Sequence, residues 1–291
     1  MATPVLTEVQ VTTLCEASSG RFEAMRARVR ALGSALVAFS GGVDSTLVLK
    51  VAVQELGERA VALTALSASM APEEAGEARA LARGLGARHL ELTSHELDDP
   101  RYAANPSNRC YFCKSELYAL TSQQRQGLGL AAVLDGFNAD DKRDHRPGHQ
   151  AAREHQVLSP LAEAGLTKDE VRAWSHRLGL PTWDKPQMAC LASRLPYGTQ
   201  VTVERLGQVA RAERSLRELG FVHFRVRHHL EVARLELGPE ELLLLQDGPL
   251  RARVDAAIKR AGFTFVAVDL EPFRSGRLND ALKGHPLSVV G

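Results

Sequence analysis

The sequence predicts an α/β fold: a parallel, twisted sheet with helices on both faces, followed by a smaller C-terminal α+β domain. Three observations predict it. Short apolar runs alternate with helical stretches over the first two thirds of the chain. A corner of small residues, Ser40-Gly41-Gly42, joins the first apolar run to the next helical stretch. A proline-bearing segment then separates this alternation from a region with a different rhythm of strands and helices.

In chain order, the apolar runs at 36–39, 60–66, 89–92 and 131–135 are read as strands. Helices are expected at 45–56, 72–85 and 112–124. Pro72 suits a first helical turn, and Glu73 and Glu74 favour the positive end of that helix. Thr167 reads as an N-cap ahead of KDEVRAWSHRLGL, giving a helix that runs to Leu178. The segment PTWDKPQMACLASRLPYGTQ carries three prolines and is read as the seam between domains 1–185 and 186–291. Beyond it come a helix at 204–219, strands at 224–228 and 232–237, helices at 239–246 and 250–260, and a strand at 263–270. The last twenty residues are polar, with Gly and Pro, and are expected to form a loosely held tail. There is no internal repeat.

Bulk properties narrow the class. A length of 291 residues favours two domains. With 36 basic and 35 acidic residues, the net charge of +1 gives no support for coating nucleic acid or an anionic membrane. No run reaches the roughly 18 apolar residues of a membrane span. The first twenty residues lack the basic start and apolar block of a secretory signal, so a cytoplasmic location is expected. Four cysteines do not make a disulfide scaffold and are expected to be free, catalytic or metal-bound.

The corner SGGVDS suits a polyphosphate residue by residue. Gly41 and Gly42 remove side chains, so backbone N–H groups can approach phosphate oxygens at a helix start that favours anions. Ser40, Ser45 and Thr46 add hydroxyls, and Asp44 can hold a magnesium ion that bridges the phosphates. A plain turn capped by Asp44 is the bland alternative, and the full string between a strand and a helix argues against it. The string resembles the PP-loop of the ATP pyrophosphatase superfamily and is not a Walker loop, since no Gly-Lys-Ser/Thr follows. That resemblance implies cleavage of ATP between its α and β phosphates, adenylating a substrate oxygen and releasing pyrophosphate.

NPSNRCYFCKSELY places Cys110 and Cys113 at a helix start, flanked by Arg109 and Lys114. Alone, this C-x-x-C is half a zinc site, a redox dithiol or two indifferent cysteines. Cys190 lies in the seam near Lys185 and Arg194, where a thiolate is stabilised, and its alternative is a small buried apolar residue. Cys15 lies in a segment of helical character and receives no role.

The PP-loop, NPSNRCYFCKSELY, DGFNADDKRDHRPG, SPLAEAGLTKDEVR and ACLASRLPYG together resemble the LarE family of ATP-dependent sulfur transferases, from Leu36 to beyond Leu237. The resemblance implies adenylation of each carboxylate of pyridinium-3,5-biscarboxylic acid mononucleotide and its conversion to a thiocarboxylate, for nickel-pincer nucleotide biosynthesis. In one branch of the family the cysteine matching Cys190 gives up its own sulfur and is left as dehydroalanine. In the other, three cysteines hold a [4Fe–4S] cluster whose fourth iron is open to sulfide. Cys110, Cys113 and Cys190 place this chain with the second branch. Three thiolates leave one iron of a cubane open, whereas a sequestered cluster takes four.

The same resemblance assigns further expected roles. Arg225 and Arg227 lie two apart on a strand, hence on one face; alone they read as a solvated face, and the family match favours a substrate phosphate. Glu213 faces the same pocket in this family. Ser67 seats the adenosine, and Asp135-Gly136 closes a strand beside the nucleotide. Asp140, Asp141, Asp144 and Arg146 serve metal, substrate or loop structure, and Arg194 meets a phosphate or the negative charge developed in adenylation. His228 and His229 have no catalytic role. The implied partners are a small-molecule mononucleotide, a sulfide donor system and further copies in a homo-oligomer, with no nucleic acid and no membrane. Three rivals stand beside this reading. An amide-forming PP-loop ligase has no use for three placed cysteines. A tRNA sulfurtransferase usually carries an RNA-binding module, and a regulatory nucleotide-binding module with structural zinc releases no pyrophosphate.

Overall fold

The computed structural model describes residues 6–143, 147–186, 189–274 and 276–282. The elements begin with α1 (Glu8–Ala31), β1 (Ala35–Ala38), α2 (Val43–Leu56), β2 (Ala60–Leu66), α3 (Pro72–Gly84), β3 (Arg88–Thr93) and α4 (Pro100–Ala103). Next come α5 (Arg109–Gly127), β4 (Ala132–Leu134), α6 (Pro147–Glu154), α7 (Pro160–Glu163) and α8 (Lys168–Arg177). The chain closes with α9 (Val203–Glu218), β5 (Phe224–His229), β6 (Val232–Leu237), α10 (Pro239–Leu244), α11 (Gly248–Arg260) and β7 (Phe265–Val268). They form two compact units, one of residues up to 99 with 108–188, the other of 100–107 with the chain from 189 on.

The first unit is built on a parallel sheet of order β3-β2-β1-β4. All four residues of β1 are buried, as a strand covered on both faces requires. Val37, Leu47, Val51, Leu134 and Leu161 share its main core, and Phe22 stacks on Trp174 at 3.9 Å. The order also fixes where a ligand belongs. The chain adds β2 and β3 on one side of β1 and then returns to add β4 on the other. The crevice beyond the carboxyl ends of β1 and β4 is therefore the switch point at which such sheets bind ligands.

The second unit holds a three-stranded sheet, with β5 and β6 antiparallel and β7 parallel to β6. Leu206, Val209 and Leu216 of α9, Val226 and Leu235 of the sheet, and Ile258 of α11 are buried there.

Three features depart from the sequence reading. Residues 100–107 belong with the second unit because the Asn105 amide donates to the carbonyls of Pro196 (2.7 Å) and Thr199 (2.9 Å). Residues 8–31 form one long helix, capped reciprocally by Thr7 and Gln10, where only helical character was expected. Part of the expected loose tail is anchored: 277–282 form a 3-10 helix, and Arg277 pairs with Asp269 at 2.9 Å.

Candidate functional site

The corner after β1 is shaped by what its glycines allow. Gly41 takes a left-handed φ of 68°, and a Cβ there would meet the Ala78 Cα at 3.3 Å. Gly42 is the N-cap of α2 and has no side chain to satisfy the first turn, so the orphan N–H groups remain for an anion. Two serines brace the turn. The Ser40 N–H donates to the Ser45 Oγ at 3.3 Å, and that hydroxyl donates to the Gly42 carbonyl at 3.2 Å. Ser40 is exposed, whereas Thr46 is fully buried and its hydroxyl makes no hydrogen bond.

Asp44 is held from two sides. Its Oδ2 pairs with the Lys168 ammonium, and its Oδ1 accepts from the Asn138 amide at 3.1 Å. Lys168 was not among the residues singled out from the sequence. The signal for it was there: it occupies the first position of α8, where the helix dipole disfavours a cation. Asn138 also accepts the N–H groups of Asp140 (2.9 Å) and Asp141 (3.3 Å), so both aspartates shape this loop. Asp144 and Arg146 lie outside the described residues. Gly136 follows β4 where the backbone of α2 leaves no room: a Cβ would stand 2.8 Å from the Ser45 nitrogen. Beside it Asp135 is buried and accepts from the Tyr118 hydroxyl at 2.8 Å. Burial pushes its carboxyl up, against hydrogen bonds and the Lys114 charge.

Ser67, after β2, donates to the buried Glu96 and accepts the Ser69 N–H at 2.9 Å, while Ser94 donates to the other Glu96 oxygen. Glu96 was missed from sequence, because its burial between two hydroxyls depends on β2 and β3 ending together.

Cys110 and Cys113 stand three apart near the start of α5, hence on neighbouring positions of one helix face. Cys110 is exposed and Cys113 half-buried. Cys190 is exposed at the start of a 3-10 turn, Leu191–Arg194, in the second unit. Among the described residues no group of three or more His, Cys, Asp or Glu side chains stands together as a metal site. Two of the three thiols therefore share a helix of the first unit, and the third belongs to the second. Cys15 is buried in α1, and burial pushes its thiol up.

The second unit carries a buried charge network. Arg194 donates to both oxygens of Glu213, from Nε at 2.9 Å and Nη2 at 3.0 Å, with both side chains 1% exposed. Burial alone would raise the Glu213 carboxyl, but Arg194 brings it below the usual carboxylate range. Arg194 also donates to the Cys190 carbonyl at 2.9 Å, which fixes the backbone that carries this thiol. Arg227 pairs with Glu236 at 2.8 Å and donates to the Ser193 carbonyl at 2.8 Å. Arg225 differs. Its guanidinium donates to the Phe224 carbonyl and lies 4.9 Å from the Phe273 ring centre, and no carboxylate among the described residues pairs with it. Burial and the Arg194 charge push it down to about 10. Arg194 and Arg227 each have a carboxylate partner, and Arg225 has none among the described residues.

Residues 22–105 match the family model "Asparagine synthase", a stretch that includes β1, the glycine corner, β2 and β3. An uncharacterized protein of Synechocystis sp. is 49% identical over 90% of this chain and 98% of its own length. The pyridinium-3,5-bisthiocarboxylic acid mononucleotide synthase of Lactiplantibacillus plantarum is 41% identical over 88% of this chain and 92% of its own. The chain belongs to that synthase family, the LarE family. It is an enzyme of the PP-loop type. Similarity to a component of the glutamine-hydrolyzing GMP synthase of Methanosphaerula palustris is lower, 26% over 60% of this chain and 58% of that one. Among the described residues no helix is long and apolar enough to cross a membrane.

Proposed function

We propose that this LarE-family enzyme adenylates the two carboxylates of pyridinium-3,5-biscarboxylic acid mononucleotide with ATP and converts each to a thiocarboxylate. The observation that carries the proposal is the glycine corner at the sheet's switch point, with Asp44 set between Lys168 and Asn138. A carboxylate is a poor acyl donor because its oxygen leaves badly. The polyphosphate binds the first-turn N–H groups of α2, where Asp44 would hold Mg2+ against it. The substrate carboxylate oxygen attacks the α-phosphorus, the α–β bridging bond breaks, and pyrophosphate leaves. A sulfur nucleophile then attacks the acyl carbon and expels AMP. Arg225 binds the substrate phosphate, with Arg227, Glu213 and Arg194 fixing the surrounding sheet and helix.

The thiols supply the sulfur chemistry. Two share one helix face of the first unit, and the third is exposed in the second unit. Cys110, Cys113 and Cys190 would hold a [4Fe–4S] cluster, which supplies an iron open to exogenous sulfide. Ser67 and Gly136 border the adenosine side of the site.

The test is anaerobic incubation of iron- and sulfide-reconstituted enzyme with ATP and the mononucleotide, supplied with sulfide or with ammonia. The proposal requires pyrophosphate and thiocarboxylate with sulfide, and no amide with ammonia. An amide product with ammonia would reassign the enzyme to the ligases.

A further inference from the structure

We propose that Lys185 is a ligand of the nucleotide phosphates and that Glu77 competes with the nucleotide for its ammonium. The inference rests on the reading of the glycine corner as the ATP site. Lys185 has a rigid root and a free arm. Its backbone N–H donates to the Thr182 carbonyl at 3.0 Å. Arg172, a buried side chain of α8, donates to the carbonyls of Trp183 (2.6 Å) and Lys185 (2.9 Å). This clamp fixes the Lys185 main chain to the first unit, and four methylenes then carry the ammonium to the phosphate corner.

There the ammonium donates to the Gly41 carbonyl at 3.3 Å and pairs with Glu77 of α3 at 2.9 Å. Gly41 is the residue whose left-handed φ shapes the anion turn. The lysine therefore stands within one side-chain rotation of any phosphate seated there. Its bonds in this position are weak ones. The Gly41 contact is long, and Glu77 is 58% exposed, so solvent screens the pair. A magnesium polyphosphate presents more negative charge at closer range and outcompetes a single screened carboxylate. Gly41, Glu77 and Lys185 also line a groove of about 720 Å3, so the arm has open space in which to turn.

Competition makes a prediction that a merely structural ion pair does not: the two partners have opposite signs. Lys185→Met should weaken ATP binding at least about tenfold by calorimetry on the full chain with Mg2+. Glu77→Gln should tighten it about two- to fivefold at low salt. In the Lys185→Met background, Glu77→Gln should change nothing, and Lys185→Arg should restore most of the affinity. Unchanged binding in Lys185→Met, or equal tightening by Glu77→Gln with and without the lysine, would overturn the proposal. A wild-type chain that binds no ATP would overturn the nucleotide reading itself, and this inference with it.

Discussion

The anion sites proposed for the two units are built from different material. In the first, the donors are backbone N–H groups at the start of α2, left without a side-chain cap because Gly42 has no side chain. In the second, the donors are the guanidinium groups of Arg225 and Arg227 on β5, of which Arg227 is already matched by Glu236. A backbone site has no titrating group and little to relax, and its weakness is steric. A guanidinium site is tuned by its neighbours, and its weakness is a lost partner.

Four substitutions probe this contrast, taken in descending order of effect. Glu213→Gln leaves Arg194 buried without its charge partner and should cost about 3–5 kcal/mol in denaturant unfolding. The paired swap of Arg194→Met with Glu213→Leu should recover much of that loss, and failure to recover would mean that the network acts through more than one ion pair. Gly136→Ala drives a methyl toward the Ser45 nitrogen, now 2.8 Å from the Cβ position. It should cost about 1–3 kcal/mol and weaken ATP binding, read by thermal unfolding and calorimetry.

Arg225→Met should run the other way. A guanidinium pushed down to about 10 in the folded chain, well below its ordinary range, disfavours folding while protonated. That cost is fully present at neutral pH and is relieved as the pH rises through about 10 toward the ordinary guanidinium range. Removing the charge should therefore stabilise the second unit by about 1–2 kcal/mol at pH 7, after solvent screening, while raising the KM for the mononucleotide. A variant that loses stability would show that Arg225 is structural. Last, Ser40→Ala removes one exposed hydroxyl and leaves the backbone donors in place, so ATP affinity should fall only about threefold. A much larger fall would mean that side chains rather than backbone groups hold the phosphates.

The same contrast explains what was legible in the sequence. The strand at 60–66 and the glycine corner could be read because local residue types dictate them. The Arg225–Arg227 alternation could also be read, as a period-two pattern on one strand. Which of the two is already neutralised could not, because the Arg227 partner, Glu236, comes from β6, and Glu213 of α9 is taken by Arg194. Lys168 and Glu96 escaped for a related reason. Their partners stand 124 and 29 residues away, and only the sheet brings them together. Residues 100–107 left the first unit because Asn105 takes a left-handed φ of 55° and turns its amide onto the 196–199 backbone.

Repeated sulfur transfer through three thiols is the step on which the proposed chemistry stands, and counting turnovers tests it. Iron-loaded enzyme is given ATP, mononucleotide and excess sulfide under anaerobic conditions; thiocarboxylate per chain is counted, and the Cys190 peptide is weighed. Several equivalents of product with Cys190 intact are expected, with turnover lost when Cys110, Cys113 or Cys190 becomes alanine. A single equivalent, with Cys190 recovered as dehydroalanine and no iron required, would contradict it.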